Sequence, residues 1–439
     1  MIYDEETKKR LDYLEDRYRD CACLSTTPFF GDRHREHFSS AHENEQGKKI
    51  PYRTFFQHDR DKILYCRSFR RLRLKTQVFP EYAEDHFRTR LDHTLEVNQI
   101  ARHFARQLRL NEDLVDAIAL AHDIGHTPFG HSGERALHRI LRNPPKLRGE
   151  VEIPVSNGFK HNWQGLRVVD KLEKAYPETA GGLNLTNAVR LGILKHTDLE
   201  CKKRDYPKET DRGKCSCDME ETLKKQKIDA NDERYDIFEI QVCSLSDEIA
   251  QVVHDFEDAL ISNLADLGDI VKNREDWPLI KECLNKIEDH FKAGGKNGEW
   301  RKWRKLTELD LSDPENRSLL VSRIRSEMLF LLTNDVTSVA KPKLKKWECQ
   351  NNCRNNNDFN QFVSQKKPFD HLISMDKLKT PFEKLQKKLV DILVHSERIA
   401  RMDGKAEYIL RQIFEVYINE PQQVHNSVLE NFVKDKGAP

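Results

Sequence analysis

The stretch AHDIGHTPFGHSGE, residues 121–134, places three histidines, an aspartate and a glutamate in 14 consecutive positions. Imidazole nitrogens beside carboxylate oxygens suit a divalent ion or an acid–base pair, and a polar turn between helices would read the same way in isolation. His122 and Asp123 are neighbours, so on a helix their side chains diverge by about 100°. Both can serve one ion only if it sits beside a helix end and other segments complete its shell. Two segments can do so: RTRLDHTLEV puts His93 in the first turns of the preceding helix, and SLSDEIAQVVHDFED puts Asp247 near the start of a later one. Two imidazoles and two carboxylates suit one divalent ion from among Mn, Fe, Ni, Co, Zn and, less tightly, Mg. They leave positions for water and a phosphoryl oxygen, the open shell that hydrolysis needs. The plainer reading of the HD pair alone is a helix C-terminus, with the histidine facing the dipole and the aspartate capping the next turn.

His126 follows His122 by four residues. His131 and Glu134 stand one turn apart if GHSGERALHRIL begins a helix, as the spacing of Ala136, Leu137 and Ile140 suggests. A carboxylate in that position orients the ring and raises its pKa, which makes a proton donor for a leaving oxygen. A simple contact between neighbours on a surface helix competes with that reading.

These groups must be held by helices. Leu91, Leu95, Ala101, Phe104, Ala105 and Leu108 recur at three- and four-residue steps, and NEDLVDAIALAHD opens on Asn111 as an N-cap. Gly125 and Pro128 then turn the chain. SDEIAQVVHDFEDALI, SLLVSRIRSEMLFLLT and PFEKLQKKLVDILVHSERIARM carry the same period, and strand-like alternation is scarce, so the expected fold is all-α. Three stretches interrupt the pattern: 200–234, charged and poor in large apolar residues; 293–303; and the Asn- and Lys-rich 341–362. The expected division is an N-terminal arm over 1–50 and a catalytic core over 51–275 with an insertion at 200–234. A helical C-terminal region over 276–439 follows, with a surface excursion at 341–366.

Composition narrows the class. The 439 residues are 37% hydrophobic, enough for a substantial core, and 74 Lys and Arg balance 73 Asp and Glu. A net charge of +1 gives no global attraction to nucleic acid or acidic membranes, so any anion binding must be local. The first residues, MIYDEETKKRLDYLEDRYRD, lack the apolar core of a secretory signal, and no run is long enough to span a bilayer, which points to the cytoplasm. The 10 cysteines do not repeat paired CxxC spacing and are expected to be reduced thiols.

Taken in order, QHDRDKILYCRSFRRLRLKTQVF, RTRLDHTLEVNQIARHFAR, HDIGHTPFGHSGE, FKHNWQGLRVVD, LNLTNAVRLGILKH and SDEIAQVVHDFEDAL resemble the HD-domain superfamily. The likeness is to its deoxyguanosinetriphosphate triphosphohydrolase-like branch, and it runs from about residue 50 to past 415. It implies an all-α homo-oligomer, a hexamer or tetramer, that cleaves dGTP or other dNTPs between the 5′-oxygen and the α-phosphorus and releases inorganic triphosphate. It carries metal-ligand roles onto His93, His122, Asp123 and Asp247, and catalytic roles onto His131, Glu134 and His126. Arg90 and Lys195 would neutralise phosphate oxygens, with His126 and His161 donating hydrogen bonds. Gln77 and Asp255 match sugar-side positions. Gln251 stands where many relatives have a tyrosine facing the sugar, and His196 stands where tyrosine often follows the lysine. Some relatives respond to deoxynucleotides bound between subunits or to single-stranded DNA, and the basic runs RSFRRLRLK and KPKLKK keep that open, although a solvated face explains them more simply. Two rivals remain: another HD phosphohydrolase, acting on monophosphates, cyclic nucleotides or guanosine tetraphosphate, and a nucleotide or single-strand sensor with an HD site.

Overall fold

The structure, a computed structural model, describes residues 9, 11, 13–33, 42–43, 49–50, 53–75, 88–144, 158–175, 182–197, 199–201, 213–214, 218–226, 228–293, 303, 305–394 and 396–424. It is helical, as the periodicity requires. Its described strands are two short antiparallel ladders, β1 (His42–Glu43) with β2 (Lys49–Ile50) and β3 (Glu200–Cys201) with β4 (Gly213–Lys214). The helices of the first half are α1 (Phe55–Tyr65), α2 (Arg67–Arg71), α3 (Arg90–Leu108), α4 (Glu112–Ala121), α5 (Gly130–Arg142), α6 (His161–Arg167), α7 (Asn187–Lys195) and α8 (Asp218–Lys225). Those of the second half are α9 (Phe238–Ile261), α10 (Leu267–Lys272), α11 (Pro278–Ala293), α12 (Pro314–Gln350), α13 (Asn356–Ser364), α14 (Lys379–Val394) and α15 (Glu397–Asn419).

α4 is the axis of the fold. Every residue from Asp113 to Ala121 is buried, the mark of a helix enclosed on all sides, and α1, α3, α7 and α9 surround it. α3 presents Val97, Ala101, Phe104, Ala105 and Leu108 inward and starts at a capping box. Thr89 N–H donates to Asp92 Oδ2 at 2.9 Å, and Asp92 N–H donates to Thr89 Oγ1 at 3.3 Å. That cap fixes the first turn, which carries Arg90 and His93.

The start of α4 is tied to the chain's N-terminal segment. Asn111 caps the helix by accepting from Asp113 and Leu114 N–H, while its amide donates to Glu15 Oε1 at 3.1 Å and to the Cys23 carbonyl at 2.8 Å. Glu239 Oε1 accepts from Cys23 N–H at 2.9 Å and from Asn111 N–H at 3.2 Å. In the described part of the 1–50 segment, Leu11, Cys21, Ala22, Cys23, Leu24 and Phe30 are buried. The apolar core runs unbroken across positions 50 and 275.

The 341–366 stretch, expected to be a surface excursion, is largely helical. α12 continues to Gln350 through Pro342, and α13 follows it. The reason is aromatic. Leu344, Trp347, Phe359 and Phe362 are buried, and the Trp347 ring meets Phe238 edge-on at 5.0 Å and Phe362 at 4.8 Å. In the 200–234 stretch, Met219, Leu223, Ile228 and Ala230 are buried, while 202–212 lie outside the described residues. Among the described residues no helix is long and apolar enough to cross a membrane. Cys21, Cys23, Cys66, Cys243, Cys283, Cys349 and Cys353 are free thiols.

Candidate active site

α3, the end of α4 and α9 converge on one point. His93 Nε2 lies 2.9 Å from Asp247 Oδ1 and 4.0 Å from Asp123 Oδ2, and His122 Nε2 lies 3.6 Å from Asp123 Oδ1 and 3.7 Å from Asp247 Oδ1. Ligand atoms about 2.1 Å from one ion stand about 3–3.5 Å from each other, so these separations fit a single divalent cation. The tautomer of His122 fits as well. Nδ1 sits 2.7 Å from the Ala119 carbonyl and must donate to it, which leaves a lone pair on Nε2, a buried atom without a hydrogen-bond partner among the described residues. Imidazole and carboxylate together admit several first-row metals, and the geometry does not choose among them.

A set of buried donors lies next to this cluster. Arg90 is 1% exposed, and its Nη1 donates to Asp123 Oδ2 at 2.6 Å, while Nε and Nη2 have no partner among the described residues. His126 Nε2 is 3.0 Å from Asp123 Oδ1, and its Nδ1 is likewise without a partner. The rings of His126 and His161 stack with centroids 3.8 Å apart.

Glu134 bonds to His161, a helix away. Its Oε2 is 2.5 Å from His161 Nδ1, while His161 Nε2 faces His196 Nε2 at 3.3 Å. His131, exposed at the mouth, still offers a ring nitrogen within 4.8 Å of donor atoms of both Glu134 and His126. One carboxylate thus serves two imidazoles.

The charge states follow from the surroundings. Burial would raise Asp123, but His126, Arg90 and His122 hold it well below the usual carboxylate range. Asp247, whose side chain is 19% exposed, is kept low against its partial burial by its bond to His93 with His122 close by. Glu134 is held down against burial mainly by His161. Burial, Arg90 and His161 lower His126, and burial, His122 and His161 take His196 down to about 3. The result is three ionised carboxylates beside two imidazoles, His126 and His196, that burial keeps neutral.

The backbone builds the turn in two steps. Gly125 lets α6 approach: a Cβ there would lie 2.0 Å from the His161 carbonyl oxygen and 2.2 Å from Gly165 N. Phe129 and Gly130 then take left-handed backbone, φ 64° and 55°, and launch α5 with His131 as its second residue.

A cavity of about 690 Å³ opens over these groups, lined by Arg90, His93, Asp123, His126, His131 and His161, with Lys195, Asp247 and Gln251 further round. That volume falls within the range of small-molecule sites. Lys195 is engaged, its Nζ 2.9 Å from Asp236 Oδ1 and bonded to the Ala230 and Asp232 carbonyls. Asp255 stands behind Gln251, whose Nε2 donates to its Oδ1 at 2.7 Å; burial and Asp258 push its carboxyl up to about 7. Gln77 lies outside the described residues. Sequence reading missed His371 and Gln386, which reach the cavity from the C-terminal half, because no local pattern announces a residue delivered from 120 or more positions away. It also missed His254 and Glu96 behind His93, although periodicity held a signal: His254 is two turns after Asp247, and Glu96 is one turn after His93.

Comparisons with known proteins agree with this geometry. The HD domain family matches residues 90–234, a span that ends before Asp247. A deoxyguanosinetriphosphate triphosphohydrolase-like protein of Bordetella pertussis is 33% identical over 370 residues, covering 84% of this chain and 80% of that protein. Proteins of the same description from Thiobacillus denitrificans and Ralstonia nicotianae are 46% and 42% identical over 215 and 243 residues. Those two alignments span only about half of each relative, 49% and 54%. With four-fifths of the Bordetella protein matched at that identity and the HD residues assembled in space, the chain belongs to the deoxyguanosinetriphosphate triphosphohydrolase-like family of HD-domain phosphohydrolases.

Proposed function

We propose that the protein hydrolyses deoxynucleoside triphosphates, dGTP among them, to deoxynucleoside and inorganic triphosphate, with one divalent ion held by His93, His122, Asp123 and Asp247. The observation that carries this reading is unspent bonding capacity of two kinds on either side of Asp123. His122 Nε2 offers a lone pair, while Arg90 Nε and Nη2 offer donors, all buried and all without partners among the described residues. Such groups cost about 1–3 kcal/mol each when left unpaired, and a cation and an anion meeting there would satisfy both kinds. A bound ion would supply Lewis acidity and a more acidic water.

Arg90 and His126 bind phosphate oxygens, and His161, fixed by Glu134, orients beside them. As a water oxygen bonds to the α-phosphorus, the bond to the 5′-oxygen breaks, and His131 gives that oxygen its proton. Glu134 positions both rings. Lys195 acts through its field, since Asp236 already holds it, and Gln251 faces the sugar with Asp255 held behind it, while Gln77 keeps the sugar-side role that the family resemblance gives it. We assign this chemistry to a core of residues 51–275, supported by 276–439, in a hexamer or tetramer. A larger groove of about 1720 Å³ on the far side of the 124–128 turn, lined by Lys62, Arg67, Arg70, Arg71 and Lys75, suits single-stranded DNA or a dNTP effector.

The test is to incubate the purified protein with each dNTP and with mixtures, in the presence of Mn²⁺ or Mg²⁺, and to separate the products. Triphosphate with free deoxynucleoside supports the reading. Monophosphate or pyrophosphate would show a different HD phosphohydrolase, and no turnover with metal bound would leave a sensor.

A further inference from the structure

Behind His93, on the side away from the cation site, two further side chains form a line. His93 Nδ1 is 3.2 Å from His254 Nδ1, and His254 Nε2 is hydrogen-bonded to Glu96 Oε2. Glu96 Oε1 lies 3.5 Å from Arg88 Nε, so each oxygen of this carboxylate has one partner. His93 and His254 are each 1% exposed, whereas the Glu96 side chain is 40% exposed and meets solvent. The line runs from the surface through two buried rings to the point where Asp247, Asp123 and His122 converge.

We propose that Glu96 and His254 are positioning residues that hold His93 in the one tautomer able to serve the cation. The inference rests on the metal reading above and names residues outside the ligand set. The argument is a count of protons. A neutral imidazole carries one N–H, and a nitrogen that gives its lone pair to an ion cannot carry it. With His93 Nε2 facing the ion, its proton must sit on Nδ1 and point at His254 Nδ1, which must then accept. His254 therefore carries its own proton on Nε2 and donates it to Glu96. Only an acceptor at the far end makes the sequence consistent, and the Arg88 guanidinium favours the carboxylate that accepts. A direct carboxylate–histidine–metal triad fixes one ring, while this arrangement places a second imidazole between and lets a carboxylate at the surface set a tautomer in the interior.

The experiment measures Mn²⁺ binding by calorimetry in the full chain and in His254→Ala, Glu96→Ala and Glu96→Gln, with thermal denaturation as a check on folding. Wild type should bind one ion per chain. His254→Ala and Glu96→Ala should weaken binding by about 10- to 100-fold, the usual effect of losing an outer partner. Glu96→Gln, which keeps an acceptor oxygen, should lie closer to wild type. In the Zn²⁺-loaded protein labelled with ¹⁵N-histidine, the His93 signal, assigned by its loss in His93→Ala, should show Nδ1 protonated in wild type and lose that hydrogen-bonded proton signature in Glu96→Ala. If wild type binds no ion, the metal reading fails. If wild type binds but folded Glu96→Ala binds as tightly, or His93 carries its proton on Nε2, the relay is overturned while the metal reading stands. Glu96 reaches solvent, so its variants keep the test open even if His254→Ala does not fold.

Discussion

His93, His122, Asp123 and Asp247 hang from α3, α4 and α9, which pack on one another in the middle of the main core. His131 and Glu134 hang from α5, which packs chiefly on α15 through a separate cluster of Ala136, Ile140 and Leu410, with Leu137 and Phe414 at its edge. Polar contacts reinforce that second pairing: Arg135 with Asp403 at 2.5 Å, Arg139 with Glu407 at 2.6 Å, and Ser132 Oγ with Asp403. In the function proposed above, four ligand atoms must stay within a few tenths of an ångström of a coordination shell, and a packed core provides that rigidity. The proposed proton donor needs only to arrive, so it can ride on a helix with a thinner foundation.

The contrast breaks first at Asp123. Asp123→Asn removes a ligand and strands the Arg90 charge in the interior, so Mn²⁺ binding and turnover should both vanish. Unfolding titrations should show a loss of about 3–5 kcal/mol. The donor half fails differently: His131→Ala should lower kcat by about 10²- to 10⁴-fold while Mn²⁺ affinity, read by calorimetry, stays at the wild-type value. Parallel loss of metal would undo the division of labour.

Gly125→Ala strikes the joint between the halves. Its methyl would overlap the His161 carbonyl, so either α6 shifts or the turn opens, at a cost of about 1–3 kcal/mol in unfolding free energy and with reduced activity. Metal affinity should fall less than turnover.

The metal half also has a pH signature. Burial raises Glu239 to about 7 and Glu15 to about 8, above their unfolded values near 4.3–4.5. The unfolded chain releases these protons first, so the two groups cost stability as pH rises from about 4.5 to 8, by up to about 1.4 kcal/mol per pH unit each. Glu239→Gln keeps the oxygen that accepts from Cys23 and Asn111 and removes the titration. Its melting temperature should therefore fall less than that of wild type between pH 5 and pH 8; a steeper fall would mean the carboxylate is favoured in the fold.

The smallest effect is reserved for the thin foundation itself. Asp403→Asn with Glu407→Gln removes partly exposed ion pairs worth about 0.2–1 kcal/mol each. Turnover should drop a few-fold with no change in Mn²⁺ affinity.

How much of this was legible depended on sequence distance. α3, α4 and the HD turn could be read because cap, period and ligand spacing lie within one helix–turn–helix. The burial of Glu15 and Glu239 could not, since a glutamate enters a core only when other groups receive it, here the backbone at Cys23 and Asn111 for Glu239, and Ser25 with the Asn111 side-chain amide for Glu15. The same holds for Trp347, whose aromatic partners Phe238 and Phe369 lie far along the chain and outweigh the polar composition around it. Glu134 and His131 sit one turn apart in sequence, yet the carboxylate's 2.5 Å bond is to His161, a helix away.

At residue 125 two backbones meet with no side chain between them. Every replacement adds at least a Cβ, so the position tolerates no gradation and acts in mutational terms as an on–off element. Gly165, across the contact, would place its Cβ 3.0 Å from an Ile193 methyl that can move. An experimenter who wants graded control over the spacing of the two halves should therefore vary residue 165 and leave 125 alone.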